Sequence, residues 1–149
     1  MPSKKSAGIL KIVLDTNNLV SSRINKKGAS WKIFDLAREN KIRILTSNFQ
    51  LSEFNRVLTY PRIMKKYKLK KNDIKKTVLL LRKITSVFNP QEIPNIIKID
   101  PDDNQILAIA KEGESDMIIS GDHHLLDLKQ YRNIPVMTAK QFLQKFTKV

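Results

Sequence analysis

Short apolar runs alternate along this chain with stretches whose apolar residues recur at helical spacing. Ile9-Leu10-Lys11-Ile12-Val13-Leu14 is rich in β-branched residues and predicts a strand buried on both faces, ending at Asp15. Ser30 stands where a cap would open a helix carrying Trp31, Phe34 and Ala37 on one side, and Ile42-Arg43-Ile44-Leu45 predicts a second strand. Ser47-Asn48-Phe49-Gln50 has capping-box spacing before Leu51, Phe54 and Leu58, with Pro61 as the stop. Asn72 is the expected cap of a helix with Ile74, Val78, Leu81 and Thr85 on one stripe, running to Asn89-Pro90. Asp100-Pro101 predicts an N-cap and a first-turn proline, placing Asp102 and Asp103 in the first turn of a helix closed by Gly113. Met117-Ile118-Ile119 predicts a strand, and Ile134-Pro135-Val136-Met137 a last one, read as an edge because of its proline. Thr138 caps a terminal helix with Phe142 and Phe146.

Strands alternating with helices argue for an α/β fold, a mostly parallel sheet with helices on both faces. A ligand site in such a sheet lies beyond the C-terminal ends of the strands. The chain's 149 residues, 41% hydrophobic, suit one domain, expected over residues 9–147 after a basic disordered tail over residues 1–8.

Residues 1–90 hold 21 Lys and Arg against five Asp and Glu, whereas residues 91–149 hold seven against nine. The net charge of +14 favours a polyanionic partner such as nucleic acid, without separating RNA, DNA and anionic membrane. Residues 62–83 concentrate ten bases around one acid, Asp73, and Lys65, Lys66, Lys70 and Lys71 are the candidates for tracking phosphates; a solvated helix face is the competing explanation. With no cysteine, thiolate catalysis, disulfides and Cys-ligated metal sites are excluded, and a reducing cytoplasm is the expected setting. No apolar run approaches the roughly 20 residues of a membrane span, so no membrane partner is expected.

Four acids fall where the topology makes them converge: Asp15 after the first strand, Glu53 early in a helix after the second, Asp103 in a helix first turn, and Asp122 after a later strand. Singly, each has an ordinary explanation. Asp100, Asp102 and Asp103 suit a helix N-terminus, a contribution of about 1 kcal/mol, Glu53 faces Arg56 and Val57, and Gly121-Asp122 suits a turn. Gathered together they repel, unless a cation neutralises them. Oxygen ligands without Cys or an organised His set point to Mg²⁺ or Mn²⁺, which suit attack of water on a phosphodiester. His123 and His124 beside Asp122 offer transition-metal or phosphate chemistry, with a roleless surface pair as the preferred explanation. Trp31 and Phe34 are assigned to core or dimer packing over base stacking.

Val13-Leu14-Asp15-Thr16-Asn17, Ser52-Glu53 leading into Arg56-Val57-Leu58, Asp100-Pro101-Asp102-Asp103-Asn104 with Ile106-Leu107-Ala108, and Ile118-Ile119-Ser120-Gly121-Asp122 resemble, in order, the motifs of the PIN-domain ribonucleases. The resemblance extends over residues 11–146 and is closest to the VapC-like toxins of prokaryotic toxin–antitoxin pairs. It implies a three-layer α/β/α sandwich and a Mg²⁺- or Mn²⁺-dependent endoribonuclease leaving a 5′-phosphate and a 3′-hydroxyl. It further implies Asp15 and Asp103 as principal metal ligands, Glu53 as a ligand or the base for a metal-bound water, and Asp122 as ligand to a second, weaker metal or its waters. Thr16, Asn17 and Ser120 match supporting polar positions, Asp103 is preferred over its neighbour Asp102, and a homodimer with an antitoxin partner is expected. The alternative is a non-catalytic nucleic-acid-binding module on the same scaffold. A receiver-like signalling domain, which also gathers acids beyond strand ends, is disfavoured by the basic surface.

Overall fold

A computed structural model describes residues 8–146. The expected tail over residues 1–8 therefore lies outside the described residues except for Gly8, as does residue 147 at the expected end of the domain.

The elements follow in the order β1 (Leu10–Leu14), α1 (Thr16–Ile24), α2 (Ala29–Arg38), β2 (Ile42–Ser47), α3 (Asn48–Leu58), α4 (Pro61–Tyr67), α5 (Lys71–Ile84), β3 (Thr85–Phe88), α6 (Asp103–Glu112), β4 (Met117–Ile119), α7 (His123–Leu126), β5 (Gln130–Tyr131), β6 (Ile134–Met137) and α8 (Ala139–Phe146). They build one sheet in the order β3-β2-β1-β4-β6-β5, parallel throughout except where β5 runs antiparallel to β6. Because side chains alternate across a strand, Ile12 and Leu14 of β1 enter one core with Ile33, Phe34, Phe54, Leu81 and Phe142, while Val13 enters the other with Leu107, Ile109 and Leu125. The result is the expected three-layer α/β/α sandwich.

Several local expectations shift. Gly28 takes the N-cap position of α2, freeing Ser30 from that role. Lys70, not Asn72, precedes α5, and that helix ends at Ile84. The segment from Thr85, expected to continue its stripe, is instead strand β3, paired with β2 through Ile44↔Thr85 to Ser47↔Phe88. A β-branched Thr-Ser-Val-Phe run is easily absorbed into a neighbouring helix by periodicity alone, and pairing decides it. Pro61 stops α3 but also opens α4, where its missing N–H costs nothing. Ile134–Met137 is not the edge: the two-residue β5 covers it, with Gln130 opposite Pro135. Gly113 does close α6, but with φ of −84° it is needed for space, since a Cβ there would meet Leu45 and Phe88 at 2.6 and 3.1 Å. Thr138 caps α8 as expected, its hydroxyl accepting from Gln141 N and the Gln141 side chain accepting from Thr138 N.

Strand order reverses between β1 and β4, so the crevice beyond their C-terminal ends is the sheet's switch point. The Leu14↔Ile119 pairing places Asp15 directly beside Ser120 at that crevice.

Candidate active site

Asp15 is 5% exposed and accepts four hydrogen bonds. Its Oδ1 takes the Asn18 backbone N–H at 2.8 Å and the Asn18 amide at 2.9 Å, which makes it the N-cap of α1. Its Oδ2 takes the Ser120 hydroxyl at 2.6 Å and the Gly121 N–H at 3.2 Å. Asn18 is itself held by Ser30, whose hydroxyl donates to the Asn18 side-chain Oδ1 at 2.6 Å. Ser30 thus acts one step behind Asp15 instead of capping α2. Ser120 also accepts from Asp122 N at 2.9 Å, so one hydroxyl ties the first acid to the last.

Asp103 contrasts with this. Its Oδ2 is buried without a hydrogen-bond partner, and its ligand oxygens lie within 4.8 Å of those of Asp100 and Asp122. Burial, then a shared hydrogen bond and charge repulsion from Asp122, then the charges of Asp100 and Asp15, push the Asp103 carboxyl up to about 8. Burial raises Asp122 as well, but the hydrogen bond from Asp103, the His124 backbone N–H and the nearby His124 and His123 together leave it below its ordinary value. Such a pair shares one proton, or gives it up to a cation. An orphaned carboxylate oxygen, three converging acids and an all-oxygen donor set fit a hard divalent ion, held by Asp103, Asp122 and Asp100 with Asp15 beside them.

Asp100 belongs to this trio although its expected place was the N-cap of α6. The helix begins two residues later, Asp102 takes the cap position without a side-chain hydrogen bond, and Asp100 Oδ1 accepts from Asp102 N at 3.2 Å. Of the two neighbours, Asp103 is partly buried in the cluster and Asp102 is exposed. The connection that delivers Asp100 is pinned by Asn104, whose buried side chain accepts from Ile96 N and Ile97 N and donates to Ile97 O.

Glu53 lines the same cleft of about 230 Å³ but stands outside the tight trio. Its Oε1 accepts from the Arg56 guanidinium at 2.5 Å, and Arg56 also donates to the Tyr60 hydroxyl. The hydrogen bond and charge of Glu53 raise the Arg56 pKa further. Thr16 and Asn17 line the cleft too, Thr16 receiving a long 3.5 Å contact from Gln50. Of the three supporting polar positions, Ser120 alone bonds a carboxylate directly. Gln50, the expected second half of a capping box, turns inward: it donates to Leu14 O at 2.7 Å and its carbonyl receives the Thr46 hydroxyl at 2.5 Å. It therefore joins α3 to the end of β1 and fixes Glu53 one turn on relative to Asp15.

Asn18, Ser30, Gln50, Arg56 and Asp100 are the site residues that sequence reasoning passed over or assigned to caps. An acid three residues before Asn18 was the one available signal, the spacing of an N-cap and its partner. His123 is exposed and His124 partly so; with Asp122 they form a second possible cation-binding group. Phe34 is buried, as expected, while Trp31 and Phe34 flank the Arg23 guanidinium at 4.5 and 3.9 Å. Lys65 and Lys66 lie on α4, Lys70 just before α5 and Lys71 at its start, all exposed.

Acids on this crevice, in this order along the chain, match a known pattern: residues 11–124 fit the family model described as PIN domain. The chain belongs to the PIN-domain family. It is also similar to an uncharacterized protein of Methanocaldococcus jannaschii, 32% identical over 147 residues and covering 93% of each chain. Membership of the PIN family carries a nuclease-type function and a nucleic-acid substrate, and PIN domains typically use divalent metals. Among the described residues no helix is long and apolar enough to cross a membrane.

Proposed function

We propose that this PIN-domain protein is a Mg²⁺- or Mn²⁺-dependent endoribonuclease, the toxin of a toxin–antitoxin pair, working as a homodimer in the cytoplasm. The observation that carries the catalytic part is the buried, unpartnered oxygen of Asp103 beside Asp122 and Asp100, a cluster that is unfavourable until a cation joins it. When bound, the divalent ion supplies Lewis acidity toward a phosphodiester and offsets the carboxylate charge.

The chain's own groups supply the rest. Asp103, Asp122 and Asp100 form the proposed ligand cluster, and Asp15 completes it, fixed in direction by Asn18, Ser120 and Gly121. Glu53 lines the cleft within reach of the substrate-binding space and is suited to accept the proton of the attacking water, its carboxylate aligned by Arg56. Water would attack phosphorus as the ribose 3′-oxygen leaves, and the products would be a 5′-phosphate and a 3′-hydroxyl. Lys65, Lys66, Lys70 and Lys71 provide a basic approach for the backbone, consistent with the excess of positive charge in the first 90 residues. The Cys-free composition agrees with a reducing compartment, and the toxin, dimer and antitoxin assignments rest on the resemblance to VapC-like proteins.

Incubating wild type, Asp15→Asn and Asp103→Asn with single-stranded and structured RNAs in Mg²⁺, Mn²⁺ or EDTA tests this. The expected result is metal-dependent cutting by wild type only. RNA bound but never cut, under any metal, would move the assignment to a binding module on the same fold.

A further inference from the structure

Next to the acidic cleft lies a second recess of about 270 Å³, lined by Asn17, Val20, Ser21, Ile24, Asn25 and Tyr67. Asn17 belongs to both, so the two spaces meet at that side chain. The recess is mixed in chemistry: Val20 and Ile24 offer an apolar floor from α1, while the Asn17 amide, the Ser21 hydroxyl and the Tyr67 hydroxyl make no hydrogen bond within the described chain. Asn25 uses only its carbonyl, accepting from Lys27 N at 3.3 Å, which leaves its NH₂ group open. Tyr67 is the last residue of α4, the helix of the basic stretch, and Lys66 holds its ammonium 5.3 Å from the Tyr67 ring centroid.

A partly exposed ring, a cation beside it, and uncommitted amide and hydroxyl groups over an apolar floor make a combination suited to a nucleotide: the ring stacks on a base, the cation meets a phosphate, and the amides read base edges. We infer that this recess is a base-binding subsite in which Tyr67 stacks on an unpaired nucleobase adjacent to the scissile phosphate and Asn17, Ser21 and Asn25 discriminate among bases. This rests on the ribonuclease reading for its substrate. It adds the residues that choose where the strand is cut. It also joins the two electrical halves of the molecule, because the basic α4 reaches the acidic crevice through Tyr67 and Asn17.

The test separates the subsite from the chemistry. Binding of fluorescein-labelled oligo-A, oligo-C and oligo-U octamers is measured by anisotropy in EDTA, where cutting plays no part, and the cut positions in a mixed-sequence RNA are mapped separately in Mn²⁺. Wild type should bind one octamer several-fold more tightly than the others. Tyr67→Ala should weaken that binding by about 5- to 100-fold, the range expected for one lost base stack, and Tyr67→Phe should stay within about twofold. Asn25→Ala, at an exposed position, should flatten the preference and shift the cut positions with a smaller loss of affinity. Unchanged affinity and unchanged preference in both Tyr67→Ala and Asn25→Ala would overturn the inference, even if cutting persists. Absence of cutting by wild type, with octamer preference present and lost in the variants, would instead remove the ribonuclease reading and keep the subsite.

Discussion

Two carboxylates that line the same crevice are treated in opposite ways by the fold. Asp15, at the end of β1, receives four donors from Asn18, Ser120 and Gly121. Asp103, at the start of α6, keeps a buried oxygen with none and faces two other acids. The first is a fixed acceptor that also borders the site; the second keeps an acceptor oxygen with no donor. The strand side of the cleft is thus held by hydrogen bonds, and the helix side is unfavourable until a cation arrives.

The largest effect that would sharpen this contrast is on turnover. Asp103→Asn and Asp15→Asn should each lower RNA cleavage by at least about a hundredfold, beyond the 10- to 100-fold typical of losing a group that merely orients a ligand. Initial rates in saturating Mn²⁺ check this, and a variant cutting at near wild-type rate would break the assignment for that residue. Their stabilities should then diverge. In EDTA, Asp15→Asn should destabilise by about 2 kcal/mol, because an amide nitrogen is turned toward donors, whereas Asp103→Asn should be neutral or stabilising since an amide needs no proton taken up on folding. Denaturant melts of both variants decide it, and parallel losses would erase the contrast.

The pH dependence is narrower. The Asp103 carboxyl sits at about 8 in the metal-free fold against 3.8 ordinarily, so between these values the folded state holds a proton that the unfolded chain has released. Metal-free stability should therefore fall as pH rises from about 4 to 8, and Mn²⁺ affinity should rise over the same span as the proton is displaced. Titration calorimetry at a series of pH values should give a rising affinity in wild type and a flatter profile in Asp103→Asn. The smallest effect is expected at Ser120→Ala, which leaves Asp15 three of its donors: a loss of about 1 kcal/mol in stability, with a modest fall in rate.

The same contrast explains what could be read from the chain beforehand. Asp15 was legible because a buried parallel strand announces itself by a run of β-branched residues, and the residue that ends such a strand has a fixed place in the sheet. Asp122 was legible for the same reason after β4. The helix side was harder: Asp100, Asp102 and Asp103 stand together, and whether one caps or points inward depends on where the helix begins, a difference of two residues that propensity does not resolve. The four acids named from sequence all line one cleft, but Asp100 entered the tight cluster and Glu53 stayed outside it, tied to Arg56. Gln50 and Asn18 were hidden because polar side chains that cross between elements depend on long-range pairing; Gln50 donates to Leu14 O, 36 residues away. Strand β3 was lost for a related reason, its four residues continuing the stripe of α5 until β2 claims them.

A paired measurement on one RNA substrate decides whether Asp103 holds the catalytic ion: cleavage rate and Mn²⁺ binding, each for wild type and Asp103→Asn. Wild type is expected to bind Mn²⁺ and to cut, EDTA to abolish the cutting, and Asp103→Asn to lose both metal affinity and turnover while remaining folded. Undiminished cutting in excess EDTA, or full metal affinity in a folded Asp103→Asn protein, would contradict that role.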